Sequence, residues 1–326
     1  MAKNTGKTRT LVALLEEFGR RGRVTGVTSV GRDGEDHDVI DPRVAKPRVP
    51  VPPGGLVATT EPLLRRRGVE YEILLRTGVG TPLGRAVICR LPAGGAVEIA
   101  GPSSSADTAR VCEAMLGLGA DNVLIDGAIN RRAAAAPAVA DAVVLATGAA
   151  LHPSQEEVVA RTLDAAELFG LARTADPRTR AAAEGAAGSI AVLDSGALIA
   201  LDRSLTLAQA PHLVTRLFTG PDAPCRLIIR GALCEDLVVQ VHRAARGRPV
   251  SLVAEDGTRV FLAHRTATWF ARRGVSIEVL RPSRLAAITI NPVAPGSHRL
   301  DSSRLREQIA EPLEGVLVCD VAADPD

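Results

Sequence analysis

Leu11, Leu14, Leu15 and Phe18 stand at i, i+3, i+4 and i+7, the spacing of one helix face, so Lys7–Arg21 is predicted to be an amphipathic helix stopped by Gly22. Val24–Val30, rich in valine and threonine, then predicts a strand. Arg32–Asp41 is polar and acidic and reads as a loop, and Pro42–Gly55 holds too much proline and glycine for a helix. A second helix is expected to begin at Thr59 or Thr60, with Pro62 tolerated in its first turn. Short strands are predicted at Tyr71–Thr77, Arg85–Arg90, Val97–Ala100, Asn122–Asp126 and Asp141–Thr147, with a helix over Ser104–Leu116. A capping box, Ser154 to Glu157, marks the start of the next helix. Ala172–Gly188 is alanine-rich without apolar periodicity and is the candidate junction. Beyond it come a hairpin-like pair (Ile190–Leu193, Ala197–Leu201) and three strands within LIIRG (227–231), SLVAEDG (251–257) and SIEVL (276–280). The segment from Thr258 to Gly274 is expected to be a helix.

Strands alternating with helices, and apolar strands such as VLID (123–126) and AVVLA (142–146), predict an α/β fold: a parallel sheet with helices on both faces. The expected division is a nucleotide-binding region over 1–171, a junction at 172–188 and a C-terminal α/β region over 189–326. Lysine plus arginine (39) nearly balances aspartate plus glutamate (37), and aromatics are 2%. Nucleic-acid binding as the main task is disfavoured, because it calls for a basic excess and, on single strands, stacking platforms. Five scattered cysteines without a CxxC pair suggest reduced, mostly buried thiols rather than a disulfide framework or a zinc site. The apolar run Leu11–Leu15 is too short for a secretory signal, and Ala133–Leu151 is interrupted by Pro137, Asp141 and Gly148, so no membrane span is expected. A soluble, cytoplasmic protein is the expectation.

The chemistry concentrates at the start of the chain. From Ala2 the sequence AKNTGKT fits the GxxxxGK[ST] phosphate-binding loop, except that Met1 stands at the first glycine position. In such a loop the backbone from Asn4 to Arg9 turns its amides toward phosphate oxygens, Gly6 permits the turn, Lys7 reaches the terminal phosphates, and the Thr8 hydroxyl can ligate Mg²⁺. The helix start adds its positive dipole end. No strand precedes the loop in the sequence, so the first strand of the sheet is expected from residues upstream of Met1. Downstream, Asp126 ends an apolar strand, and Asp33 follows another, at the sheet edge where ligands bind in open α/β folds. Thr8, Asp33 and Asp126 could together surround one nucleotide-bound Mg²⁺. Lys7, Asp33 and Asp126 are therefore the candidate catalytic residues of an ATPase. With no NKxD signature, adenine is favoured over guanine. Asp33, Glu35, Asp36, His37 and Asp38 could ligate a transition metal, but such a run is more often a solvated loop. Asn130, Arg131 and Arg132 could meet phosphate or a partner, or face solvent. Asn291, in TINP, could meet a base, although a turn-initiating Asn-Pro is the commoner case. Neither Glu35 nor Glu61 has the spacing of a known water-positioning residue, so the group that activates water is expected in trans.

The segments AKNTGKT, GVTSVGRDGE, LVATTEPLL, YEILLRTGVGTPLGRAVI, VEIAGPSSS, GADNVLIDGAINRR and DAVVLATGA, with the later RGALCEDL and ITINPVAPGS, resemble the smaller subunit of the lysine 5,6-aminomutase reactivase, the KamB family. The resemblance extends over nearly the whole chain. It implies a P-loop ATPase of dethiobiotin-synthetase-like type, using ATP and Mg²⁺, with Gly6, Lys7, Thr8, Asp33 and Asp126 in the nucleotide site. It further implies a MutS-like ATPase partner subunit (KamC-like) and, as client, a lysine 5,6-aminomutase that uses adenosylcobalamin and pyridoxal phosphate. A small-molecule ligase or kinase of the same architecture, and a scaffold with a decayed nucleotide site, are the competing expectations.

Overall fold

The computed structural model describes residues 4–30, 48–65, 68–127, 135–185, 188–201, 210–219 and 222–321. In chain order the first elements are α1 (Lys7–Arg20), β1 (Thr25–Ser29), β2 (Val49–Val51), β3 (Leu56–Thr60), α2 (Glu61–Arg65), β4 (Glu72–Thr81), β5 (Gly84–Arg90), β6 (Gly95–Val97), α3 (Ser105–Gly117), β7 (Asn122–Asp126), β8 (Val143–Gly148) and α4 (Gln155–Phe169). There follow α5 (Pro177–Gly185), β9 (Ile190–Leu193), β10 (Leu198–Ala200), α6 (Ala210–Thr219), β11 (Pro224–Ile229), β12 (Leu233–Cys234), α7 (Glu235–Ala245), β13 (Val250–Ala254), β14 (Val260–Phe261), α8 (Ala267–Ala271) and β15 (Val275–Val279). The chain closes with β16 (Leu285–Asn291), α9 (Ser302–Ala310) and β17 (Leu317–Asp320).

The chain forms two compact units. One comprises residues 1–140, 144–159 and 286–326, and the other residues 141–143 and 160–285. The alanine-rich stretch expected to be a junction contributes α5 to the second unit, and the C-terminal segment returns to the first.

In the first unit a five-stranded sheet has the order β4-β5-β3-β1-β7. β1 pairs in parallel with β3 and β7, while β5 is antiparallel to both β3 and β4. The sheet is thus mixed rather than wholly parallel. The physical reason is the short turn between Thr81 and Gly84: two residues can join antiparallel strands but cannot carry the crossover that parallel strands need. Side chains alternate between the two faces. Val57, Val87 and Cys89 join Leu11 and Leu15 of α1 in one core cluster, and Leu56, Ala58, Ala86 and Ile88 join Val111 and Met115 of α3 in another. Helices therefore cover both faces, as the sequence suggested. β16 lies between β17 and β8 in a separate three-stranded sheet, and β2 pairs antiparallel with β6. Ser104 caps α3 by accepting from the Asp107 amide at 3.1 Å, and Ser154 accepts from the Glu157 amide at 3.4 Å at the start of α4. All five cysteines are free, and burial pushes the Cys89 thiol up to about 12 and that of Cys112 to about 11.

The second unit is built on a sheet of order β10-β9-β11-β13-β15, with β11, β13 and β15 parallel and β9 antiparallel to both of its neighbours. The helix expected over Thr258–Gly274 is absent. A single helical turn at Gly257–Arg259, strand β14 and the short α8 stand in its place. Two side chains account for this. Asp256 accepts from the Thr258 amide at 2.8 Å. The buried Glu235 carboxylate, at the start of α7, accepts from the amides of Ala263 (2.7 Å), His264 (2.6 Å) and Arg265 (3.3 Å) and pairs with the Arg265 guanidinium at 2.5 Å. Three successive amides turned onto one carboxylate cannot also serve a continuous helix. Helix resumes only where the Thr266 hydroxyl accepts from the Trp269 amide, and the fully buried Phe270 anchors that turn in the core. Among the described residues no helix is long and apolar enough to cross a membrane.

Burial opposes ionisation of Glu235, but the His264 and Ala263 amides and Arg265 outweigh it and hold the carboxyl below the usual range. A carboxyl whose folded-state pKa is depressed adds stability above its unfolded value, near 4.3, and loses it as pH falls through the lower folded value. Glu235→Ala is accordingly expected to cost about 2–4 kcal/mol at pH 7, by leaving three amides unpaired and a guanidinium without its partner. Urea unfolding as a function of pH checks this: the gap between the two proteins should narrow below about pH 4, and a gap independent of pH would contradict the assignment.

Candidate functional site

The sequence before α1 bends through two left-handed residues, Asn4 (φ 60°) and Gly6 (φ 92°). The Gly6 carbonyl accepts from the Thr10 amide at 2.8 Å and so closes the first turn of the helix. No side chain caps this helix start. Its first turn carries Lys7, Thr8 and Arg9 and no acidic residue, so the positive end of the peptide dipoles is met by further positive charge. An end of this kind is suited to an anion. Thr5 is buried, Lys7 and Thr8 are half-buried, and Arg9 is exposed.

The loop is braced from far along the chain. The Thr10 hydroxyl donates to the Gly6 carbonyl (3.1 Å) and lies 2.6 Å from the buried Thr289 hydroxyl of β16. Asn291, the last residue of β16, donates from its side-chain amide to the Asn4 carbonyl at 3.4 Å. A Cβ at Gly6 would stand 3.0 Å from that of Asn291, so glycine is required here both by its left-handed backbone and by the space it leaves. The Asn291 Oδ1 also accepts from the Val293 amide at 3.4 Å, so the turn-initiating reading of TINP holds alongside the contact to the loop.

Asp126 ends β7 in register with Ser29, the end of β1, and its carbonyl accepts from the Val30 amide at 3.1 Å. Gly101 closes on the same edge: its amide donates to the Ser29 hydroxyl at 3.0 Å, and a Cβ there would fall 1.7 Å from the Ser29 carbonyl oxygen. Lys7 and Asp126 feel each other's charge. Burial pulls the Lys7 ammonium down and the Asp126 carboxylate acts against it; burial pushes Asp126 up and Lys7 acts against that. Both groups are costly to keep ionised in this environment, and a ligand carrying phosphate and a divalent cation would compensate both.

The structure thus brings together Asn4, Thr5, Gly6, Lys7, Thr8 and Arg9 at one helix start, with the charge of Asp126 acting on Lys7. Asp33, with Glu35, Asp36, His37, Asp38, Asn130, Arg131 and Arg132, lies outside the described residues. Glu61 is taken up elsewhere: hydrogen bonds from Arg76 (2.8 Å) and Arg65 (2.6 Å) hold it below the usual carboxylate range. Among the described residues there is no cluster of three or more metal-ligating His, Cys, Asp or Glu side chains. The Thr8 hydroxyl and one carboxylate, completed by phosphate oxygens and water, make an ordinary magnesium set, so the residues present fit a nucleotide-borne ion rather than a protein-only cage. The braces Thr289 and Asn291 carry no local signal of their role, since it depends on contacts 279 and 287 residues apart.

Compared with protein-family models, curated proteins and solved structures, the chain matches none. Removing the brace should loosen the loop before it loosens the fold. Asn291→Ala is expected to speed amide hydrogen exchange at residues 5–8 by about tenfold or more, with global stability lowered by about 1 kcal/mol. Unchanged exchange in that window would show that Asn291 does not hold the loop.

Proposed function

We propose that this protein is a P-loop ATPase. The observation that carries the reading is the charge opposition of Lys7, at an uncapped helix start after a left-handed glycine, and Asp126, at the end of a parallel strand. In this role the loop amides and Lys7 hold the β- and γ-phosphates of ATP, with Lys7 offsetting charge that develops on the transferred phosphoryl group. Thr8 and Asp126, with Asp33, would hold Mg²⁺, which supplies charge neutralisation on the phosphate oxygens. The backbone at Gly6 keeps the loop close enough for amide contacts.

The resemblance to the aminomutase reactivase refines the proposal. Nucleotide turnover would drive release of damaged cobalamin from a lysine 5,6-aminomutase, with a MutS-like ATPase partner. Such a cycle is physically sensible, because phosphate-bound loops order with the nucleotide and relax on hydrolysis. Glu61 is already engaged by two arginines, which supports a trans-acting group to position water. The competing reading, a dethiobiotin-synthetase-like ligase or kinase, needs a second small-molecule substrate beside the γ-phosphate.

Steady-state ATP hydrolysis tests both levels. Lys7→Ala should lower turnover by about a hundredfold or more, and Asp126→Asn should weaken Mg²⁺ dependence while leaving the fold at least as stable at neutral pH, since it removes a buried carboxylate. Unchanged turnover in the Lys7 variant would refute the phosphate-loop assignment. The rate is expected to be slow for the protein alone and to rise, on the order of a thousandfold, with the MutS-like partner and an inactivated aminomutase. Equal rates in all mixtures would remove the reactivase and favour the ligase.

A further inference from the structure

The second unit carries a concentration of positive charge that the nucleotide site does not use. The C-terminal end of α7 and the loop after it bear Arg243, Arg246 and Arg248, all exposed, and the end of α8 bears exposed Arg272 and Arg273. The two segments are neighbours: the Val250 amide donates to the Gly274 carbonyl at 2.8 Å, and a Cβ at Gly274 would stand 3.7 Å from the Arg248 carbonyl oxygen. Neither stretch contains an acidic residue, from Leu237 to Ala254 or from Gly257 to Ile277. Two carboxylates that reach these segments are already committed, Glu235 to Arg265 and three amides, and Glu167 to the amides of Ala267 and Thr268. None of the five arginines makes an ion pair among the described residues, whereas four other arginines around this sheet do: Arg226 with Asp176, Arg230 and Arg281 with Glu255, Arg265 with Glu235.

At the centre lies Trp269, the only tryptophan of the chain, half-buried. The Arg273 guanidinium sits 3.7 Å from its ring centroid and that of Arg265 5.2 Å, while His242 of α7 meets it edge-on at 6.4 Å. The ring holds these cations in place on a rigid base, which lowers the cost of ordering them in a complex.

We propose that this face of the second unit is a docking surface for an acidic patch on a partner protein. Arg243, Arg246, Arg248 and Arg272, on two neighbouring segments, offer planar forks to carboxylates beside Arg273, which donates to the Trp269 carbonyl at 3.1 Å, and charge complementarity of this kind sets orientation and association rate. A nucleic-acid partner fits less well. The chain as a whole is near neutral at +2, and the one large aromatic of the patch already has cations and Phe270 (5.0 Å, edge-on) against it, so it offers no free face for a base. The surface is independent of the phosphate loop, which lies in the other unit.

Trp269 supplies the readout. The full-length protein, titrated with poly-L-glutamate in low salt, should show a saturable change in tryptophan fluorescence whose midpoint weakens about tenfold or more between 50 and 200 mM salt. The triple variant Arg243→Glu, Arg248→Glu, Arg272→Glu should weaken it by about a hundredfold, with circular dichroism unchanged because all three side chains are exposed. The same change in net charge placed in the first unit, Arg20→Glu, Arg23→Glu, Arg110→Glu, should alter it by less than about threefold. A triple glutamine variant at the first three positions should fall between wild type and the glutamate variant. No saturable change, or equal effects of the two glutamate triples, would overturn the proposal. A DNA oligonucleotide or vesicles containing phosphatidylserine binding ten times more tightly than poly-L-glutamate would overturn its choice of partner.

Discussion

The first unit depends on one backbone conformation, the left-handed turn at Gly6. There the Gly6 carbonyl accepts from the Thr10 amide to start α1, and Asn291 fills the space a side chain would need. Because α1 also supplies Leu11 and Leu15 to the core on one face of the five-stranded sheet, the turn that shapes the anion-receptive end also sets how the helix lies on its strands. Site and core share a constraint. A residue with a Cβ at position 6 would meet a backbone penalty and a packing penalty together.

Electrostatics adds a second layer at the same place. Ordinary cores avoid half-buried charges, and both Lys7 and Asp126 have their ionisation opposed by burial. Their mutual attraction compensates only in part. Residues kept in an environment that disfavours their charge are a common sign of a ligand-binding region, where the missing compensation arrives with the ligand. By contrast, the ion pairs of Glu61 and of Glu17 are made with exposed arginines and contribute little to stability.

Local patterns in the chain were legible, and distant pairings were not. The face of three leucines and a phenylalanine on α1, the strand Asn122–Asp126, the hairpin of β9 and β10 and the caps Ser104 and Ser154 each follow from residues a few positions apart. The error over Thr258–Gly274 has a different origin. That segment has helix-compatible composition, but its amides are claimed by a carboxylate 28 to 30 residues earlier, and no window along the sequence contains both partners. The mixed character of the first sheet was missed for want of pairing information, since short apolar strands look alike whichever way their neighbours run. Within the candidate site, the glycine, lysine, threonine and Asp126 are readable as a motif, whereas Thr289 is not and Asn291 is legible only as a turn former or base contact, its link to the loop being made by the folded chain.

The return of β16, α9 and β17 to the first unit, after the whole of the second, gives the chain a definite order of completion during synthesis. Residues 160–285 can assemble their own sheet from contiguous sequence as they leave the ribosome. The loop before α1 cannot be braced until residues 289 and 291 emerge, after the whole of that sheet. A chain that stops before residue 289 would therefore carry the whole of the second sheet and an unbraced loop before α1. The bracing of the loop before α1 thus waits on β16, made only after every strand of the other unit's sheet.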